Sequence, residues 1–276
     1  MSAIPTGTAV PRLEKRGRVT QARVARSEWT KLFSLRSTRW SLLAAVVLTV
    51  GLPVLFAAVT SSHWGSMSPH DRAERGPLDI ALAGVNLSQL AVAVLGVLVI
   101  TGEYSTGMIR ASFTAVPRRL PVLWAKAGVF AFVTLVLALP SVLIAFWASQ
   151  AILSRHDILK VSFSSPGVAR SVIGGAVYLT LVGVFALAIG AVIRNTAGGI
   201  SVFAALFFVI PPLMLLLPSS WQRAINPYLP SEAARAIFSL THGSDMLAPG
   251  PGLAVFLGYT ALAIALAALL LVRRDT

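Results

Sequence analysis

The sequence predicts an all-α, polytopic membrane protein. It has six transmembrane helices, an amino-terminal amphipathic helix at the interface, and short re-entrant or outer helices before the last span. Three observations predict this. Six apolar runs lie near Trp40–Val59, Leu82–Thr101, Val122–Ser149, Ser171–Ile193, Ala197–Leu217 and Gly252–Val272. Each is long enough to cross the hydrocarbon core, which takes about 20 predominantly apolar residues. The hydrophobic fraction is 56%, above the roughly 45–50% usual for soluble domains. Finally, the basic residues gather on alternate sides of the runs.

That last pattern sets an orientation. Arg12, Lys15, Arg16, Arg18, Arg23, Arg26, Lys31, Arg36 and Arg39 precede the first span. Arg110, Arg118, Arg119 and Lys126 lie between the second and third, Arg194 between the fourth and fifth, and Arg273 and Arg274 after the sixth. Together they are more than two thirds of the chain's 23 lysines and arginines. The positive-inside rule puts this side, and both termini, in the cytoplasm. An even number of spans requires the same. The net charge of +13 sits beside the spans rather than on one soluble domain. It suits anionic lipid headgroups and argues against a nucleic-acid partner. With no cysteine there is no thiol or disulfide chemistry to consider. The first apolar run is too long for a signal-peptide core and is expected to act as an uncleaved anchor.

Taken in order, residues 1–18 are small, basic and proline-containing, and are expected to be disordered. Residues 19–39 read as the amphipathic interfacial helix. Ala22, Ala25, Trp29, Leu32 and Phe33 share one face, and Arg23, Ser27, Lys31 and Ser34 the other. Trp29, Lys31, Leu32 and Phe33 are its candidate membrane-surface residues. The alternative is a solvated extension of the first span. Residues 40–276 form the six-span domain. Pro53 and Pro140 fall inside the first and third spans, where neighbouring helices can satisfy the freed backbone groups. The connections at 61–80 and 150–170 are polar. The fourth and fifth spans are joined only by Arg194, Asn195 and Thr196. Pro211 and Pro212 predict a bend in the last turn of the fifth span. Beyond it, Trp221–Ile225 and Ser231–Phe238 read as short helices separated by Pro227 and Pro230. Ser231 is the expected N-cap, with Glu232 in the first turn. Their apolar residues point back toward the membrane; a surface hairpin is the alternative.

The chain carries no phosphate-cradling G-x-x-x-x-G-K-[ST] and no H-E-x-x-H. His63, His70, His156 and His242 are scattered over loops without metal-site spacing, so neither a catalytic nor a metal site is expected. None of the ten acidic residues falls at the centre of a span. Ion- and proton-coupled carriers place ionisable groups at mid-membrane depth, so an energy source on another subunit is expected. Asn86 and Gln89, three residues apart in the second span, either line a pathway or hydrogen-bond to a neighbouring helix.

The most specific segment runs from Gly102 to Lys126, between the second and third spans. Its Glu103, Tyr104, Gly107, Met108, Ile109 and Arg110, then Arg118 and Arg119, then Lys126, make the chain similar to the permease subunits of ABC-2 type exporters. The Ser27–Leu32 run and Leu229-Pro230-Ser231 also resemble that family. The resemblance covers the chain from about residue 19 onward.

What it implies is a coupling helix in this loop that docks on a separate cytosolic ATP-binding cassette ATPase. Ser105–Thr114 can form a short helix presenting Met108, Ile109 and Phe113 to an apolar notch, with Arg110 at its rim. Glu103 can pair with Arg110 or with a base on the amphipathic helix, or merely cap a solvated loop. Arg194, Asn195 and Thr196 would make a second, smaller cytosolic contact. Six spans make half a pathway in this family, so a homodimer or a heterodimer with a second permease is implied. The cell membrane is the expected location. No cofactor is expected on this chain; ATP and Mg belong to the partner. The expected function is export by alternating access, with no catalytic residue of its own. A scaffold or sensor without transport, and an intramembrane enzyme, are the other readings. No residue selects a substrate.

Overall fold

The apolar runs become helices that extend past their apolar stretches at most of their ends. A computed structural model describes residues 20–34, 36–68, 70, 72, 76–108, 119–154, 161–240 and 246–273. An amino-terminal helix α1 (Gln21–Ser34) leads into α2 (Arg36–His63), α3 (Pro77–Ser105), α4 (Arg119–Leu153) and α5 (Val168–Ile193). Then come α6 (Thr196–Met214), the short α7 (Ser219–Ile225) and α8 (Pro230–Arg235), and the last helix α9 (Pro249–Arg273). Six of these, α2 to α6 and α9, are long and apolar enough to cross a membrane. The chain is a multi-pass, all-helical membrane protein, and the described residues include no strand.

Helix α5 is the axis of the bundle. It packs against α3, α4, α6 and α9, while α2 closes over α3 and α4. Without a hydrophobic drive between helices in lipid, close approach of small residues does much of the holding. A Cβ on Gly96 of α3 would overlap the carbonyl oxygen of Gly183 of α5, and one on Gly190 would lie 3.2 Å from the Cα of Val97. The contact between α2 and α3 is polar at its middle. Thr49 Oγ1 and Ser88 Oγ lie 2.7 Å apart, and both hydroxyls reach the carbonyl of Ala45. In α6, a π-helical turn over Ala205–Val209 precedes Pro211 and Pro212. Two consecutive prolines remove two donors and crowd the carbonyls four residues back; the wider turn takes up that mismatch. The helix ends at Met214, three residues short of the predicted span. Phe203 stacks on Phe207 at 4.4 Å, and Phe185 meets Phe256 edge-on at 5.6 Å, joining α5, α6 and α9.

Expectations for α8 and α1 also need correction. Ser231 is not an N-cap. Pro230 occupies the first turn of α8, Leu229 takes the cap position, and Ser231 Oγ is buried with no hydrogen-bond partner among the described residues. Proline preset for the first helical position moves the start forward. The helix also stops at Arg235 instead of Phe238. In α1, the buried stripe is Val24, Glu28 and Leu32, whereas Trp29 and Phe33 are exposed. Lys31, expected on the solvated face, turns inward, because Glu28 and Glu103 draw its ammonium.

Candidate functional site

Two acids and two lysines from three helices meet where α1 crosses the last turn of α3 and the first turns of α4. The local sequence of α1 sets this up. Its residues 24, 28 and 32 recur at four-residue spacing and so share a face. Val24 packs with Val122 and Ala125 of α4, and Gln21 Nε2 donates to the carbonyl of Pro121 at 3.0 Å. With those anchors in register, Glu28 arrives beside Lys126.

Lys126 Nζ donates to Glu28 Oε2 at 2.5 Å and to Glu103 Oε1 at 2.9 Å. Lys31 Nζ donates to Glu28 Oε1 at 2.7 Å and to Glu103 Oε1 at 3.2 Å. The four charges cancel. Lys126 is only 4% exposed and Glu103 7%, so this is a buried network. Each ion's desolvation is offset only while its partners stay in place. One acceptor is left over: among the described residues, Glu103 Oε2 is buried and has no hydrogen-bond partner. An unmade hydrogen bond on a buried polar group costs about 1–3 kcal/mol. For Lys31, burial alone would lower the ammonium's affinity for its proton. The hydrogen bond and charge of Glu28, joined by Glu103, outweigh it and hold the group above its ordinary value.

Beside the network lies a cavity of about 300 Å³. Glu28, Lys31, Glu103 and Lys126 form its charged wall, and Ser34, Ser37, Thr38, Ser105 and Thr106 a polar margin. Leu95, Leu98, Val99, Phe130 and Met108 line it with apolar surface.

The predicted coupling residues divide. Glu103 and Tyr104 belong to the last turn of α3. Ser105 ends that helix, and Gly107 takes a left-handed φ of 70° that only glycine adopts without strain. The expected short helix therefore does not begin at Ser105, but Met108, just past the turn, is helical. Met108 follows, exposed. Ile109, Arg110 and Phe113, and the loop to residue 118, lie outside the described residues.

Arg194, Asn195 and Thr196 are drawn into the bundle's own contacts. Arg194 caps α5 with a φ of 58°, donates from Nη2 to the carbonyl of Leu270 at 3.1 Å, and lies 5.1 Å over the ring of Tyr104. Asn195 caps α6, its side chain accepting from the backbone of Gly198 at 2.9 Å. Thr196 Oγ1 bonds to Thr101 Oγ1 of α3 at 2.8 Å. Asn86 and Gln89 part company: Asn86 is exposed and Gln89 buried. Gln89 donates to the Asn86 carbonyl and accepts from the hydroxyl of Tyr178 on α5. In α1, the rings of Trp29 and Phe33 lie 4.9 Å apart and tilted, and Leu32 joins the core.

Glu28 and Lys126 were not singled out as site residues by their chemistry, although both lie in the runs that carry the family resemblance. A signal was available. The chain has four lysines, Lys15, Lys31, Lys126 and Lys160. One of them stands inside an apolar run, where an ionisable group calls for a partner. No family model matches the chain, and a comparison with curated proteins gives no match either.

Proposed function

We propose that the chain is the membrane-spanning permease subunit of an ATP-binding cassette exporter, driven through alternating access by a separate cytosolic ATPase. The observation that carries this reading is the ion network. It ties α1 to the two helix ends from which the loop at 106–118 is hung. In the sequence, that loop resembles the coupling loop of ABC-2 type permeases. A push on the loop reaches α3 through Glu103 and α4 through Lys126, and both residues grip α1. The helices on either side of the loop then move with the interfacial helix as one lever.

In this reading both termini lie in the cytoplasm and the bundle spans the cell membrane. ATP and Mg are held by the partner, and this chain contributes no catalytic group. A second permease, identical or not, completes the pathway. Helices α2, α6 and α9 bury little of their surface within the chain, which leaves apolar faces for that second half or for lipid. The ATPase must bind the two permease states with different affinity, since only a differential interaction shifts an equilibrium.

The test is a pull-down of tagged protein from its native membrane in mild detergent, beside a Met108→Glu/Ile109→Glu variant. The expected result is an ATPase subunit retained by the native chain and lost from the variant. A folded native chain that retains no ATPase sinks the proposal. Retention without substrate-stimulated hydrolysis would favour a scaffold or sensor.

A further inference from the structure

We propose that the start of α2 binds one anionic phospholipid, its phosphate held by Arg36 and Arg39, its glycerol esters by Trp40, and an acyl chain laid along Leu43 and Val47. The first turns of α2 sort their residues onto two faces. Thr38, Leu42, Ala45 and Thr49 are buried against the bundle. Arg36, Arg39, Trp40, Leu43 and Val47 recur at three- and four-residue spacing on the opposite face, and all five are exposed. An open recess of about 450 Å³ is lined by the first four of them. Trp40, at its centre in the sequence, is 68% exposed. The stripe runs from charge through an indole to hydrocarbon, the order in which a lipid leaflet runs from headgroup to chain. At 1.5 Å per residue, Arg36 to Val47 is about 16 Å, which takes the stripe from the headgroups well into one leaflet of a core about 30 Å thick.

The charge of this face is unspent. Lys31 and Lys126 are neutralised by Glu28 and Glu103. Arg170 and Arg194 donate to backbone carbonyls of the bundle, and Arg235 acts on Asp79. By contrast, no ion pair or side-chain hydrogen bond holds Arg36 or Arg39 among the described residues. The polar groups of the face are all N–H donors, from two guanidinium groups and one indole. They call for acceptors that carry negative charge. A guanidinium takes a phosphate two bonds at a time, and an indole at headgroup depth suits an ester carbonyl. Among the described residues no acid lines the recess to receive the ammonium of a zwitterionic headgroup, so the face selects an anionic lipid. A second copy of the chain is a poorer occupant, because a two-fold contact along this stripe would set arginine against arginine. The inference rests on α2 crossing the bilayer, and on neither transport nor an ATPase.

The experiment is native mass spectrometry of the full chain in mild detergent, titrated with dioleoylphosphatidylglycerol, dioleoylphosphatidylcholine and glycerol phosphate. The first phosphatidylglycerol should bind roughly tenfold or more tighter than the first phosphatidylcholine, the size expected of two arginines at a membrane surface. Glycerol phosphate, with the charge but no chains, should not bind in the same range. Arg36→Gln/Arg39→Gln should cut the preference between the two lipids to about twofold or less. Arg26→Gln/Arg273→Gln removes the same charge from two other exposed positions and should leave the preference intact. Trp40→Ala keeps every charge and should weaken both lipids; it carries the test if the double arginine variant does not elute as a single species. Equal affinity for the two lipids, glycerol phosphate bound as tightly as phosphatidylglycerol, or an unchanged preference in Arg36→Gln/Arg39→Gln would each overturn the proposal. So would an equal loss in Arg26→Gln/Arg273→Gln, or unchanged lipid binding in Trp40→Ala.

Discussion

The two ends of the α3–α5 pair are held by opposite means. At the α1 end, four charged side chains lock three helices together beside a cavity. At the other end, α8 is seated mainly by close packing, with Arg235 acting on Asp79 of α3 only through its charge. Ala233 and Ala234 are fully buried. A Cβ on Gly174 of α5 would lie 2.6 Å from the carbonyl of Ile237, and one on Gly252 of α9 would lie 2.7 Å from that of Ala233. Tyr178 and Phe238 meet edge-on at 4.8 Å, and Arg170 reaches the carbonyls of Ile237 and Ser239. Close packing of this kind resists small displacements in every direction. A charge network depends on each member being present, and a movement that separates one pair unbalances the rest. The α1 end is therefore the one suited to pass on a push, and the α8 end the one suited to stay fixed.

The sharpest way to break that contrast is to remove one buried charge. Lys126→Met leaves Glu28 and Glu103 with only Lys31 between them. It should destabilise the protein by about 3–5 kcal/mol, the range for breaking a buried pair from one side. Thermal unfolding in detergent measures it. Adding Glu28→Gln to Lys126→Met restores neutrality and should recover most of the loss. If the double variant is no better than the single, the four groups do not act as a network.

Overpacking the other end should matter less. Gly174→Val drives a branched side chain into the Ile237 carbonyl, for an expected loss of about 1–3 kcal/mol. The loss should be the same at low and high salt. A salt-dependent loss would mean that the substitution also disturbs the attraction between Asp79 and Arg235.

The smallest effect belongs to Lys31, which is partly exposed and therefore screened. Lys31→Met should cost about 1 kcal/mol or less. Because the folded state raises the group's proton affinity above the ordinary value of 10.5, the sign is set. The stabilisation is complete below that pH and fades as pH rises through the raised value. The melting difference between wild type and Lys31→Met should be flat through neutral pH and shrink only in strong alkali. A difference that shrinks on acidification instead would assign the interaction to another group.

Much of this was legible in the sequence, for a definite reason. The spans and their number follow from local apolar runs, and those runs need no knowledge of neighbours; the length of α1 does not, since the helix expected over 19–39 ends at Ser34 and the first span already begins at Arg36. The turn at Arg194, Asn195 and Thr196 was equally plain, since three polar residues between two apolar runs leave no other reading. Legibility failed where the outcome depends on what lies opposite. Lys31 has the spacing of a solvated residue on α1. Only the approach of α3 brings Glu103 to it. Ser231 looks like a cap, and the proline before it starts the helix first. Asn86 and Gln89 look alike on one helix, yet α5 puts Tyr178 against Gln89, while Asn86 stays exposed.

The sequence by itself thus determined a six-span helical membrane protein with an amphipathic amino-terminal helix, because hydropathy and charge act through each segment's own contact with lipid and water. The tertiary structure decided which charges neutralise one another, which carboxylate oxygen is left bare, and where the cavity opens. Those are properties of distances between segments, and they fall steeply over a few ångströms that no single segment contains.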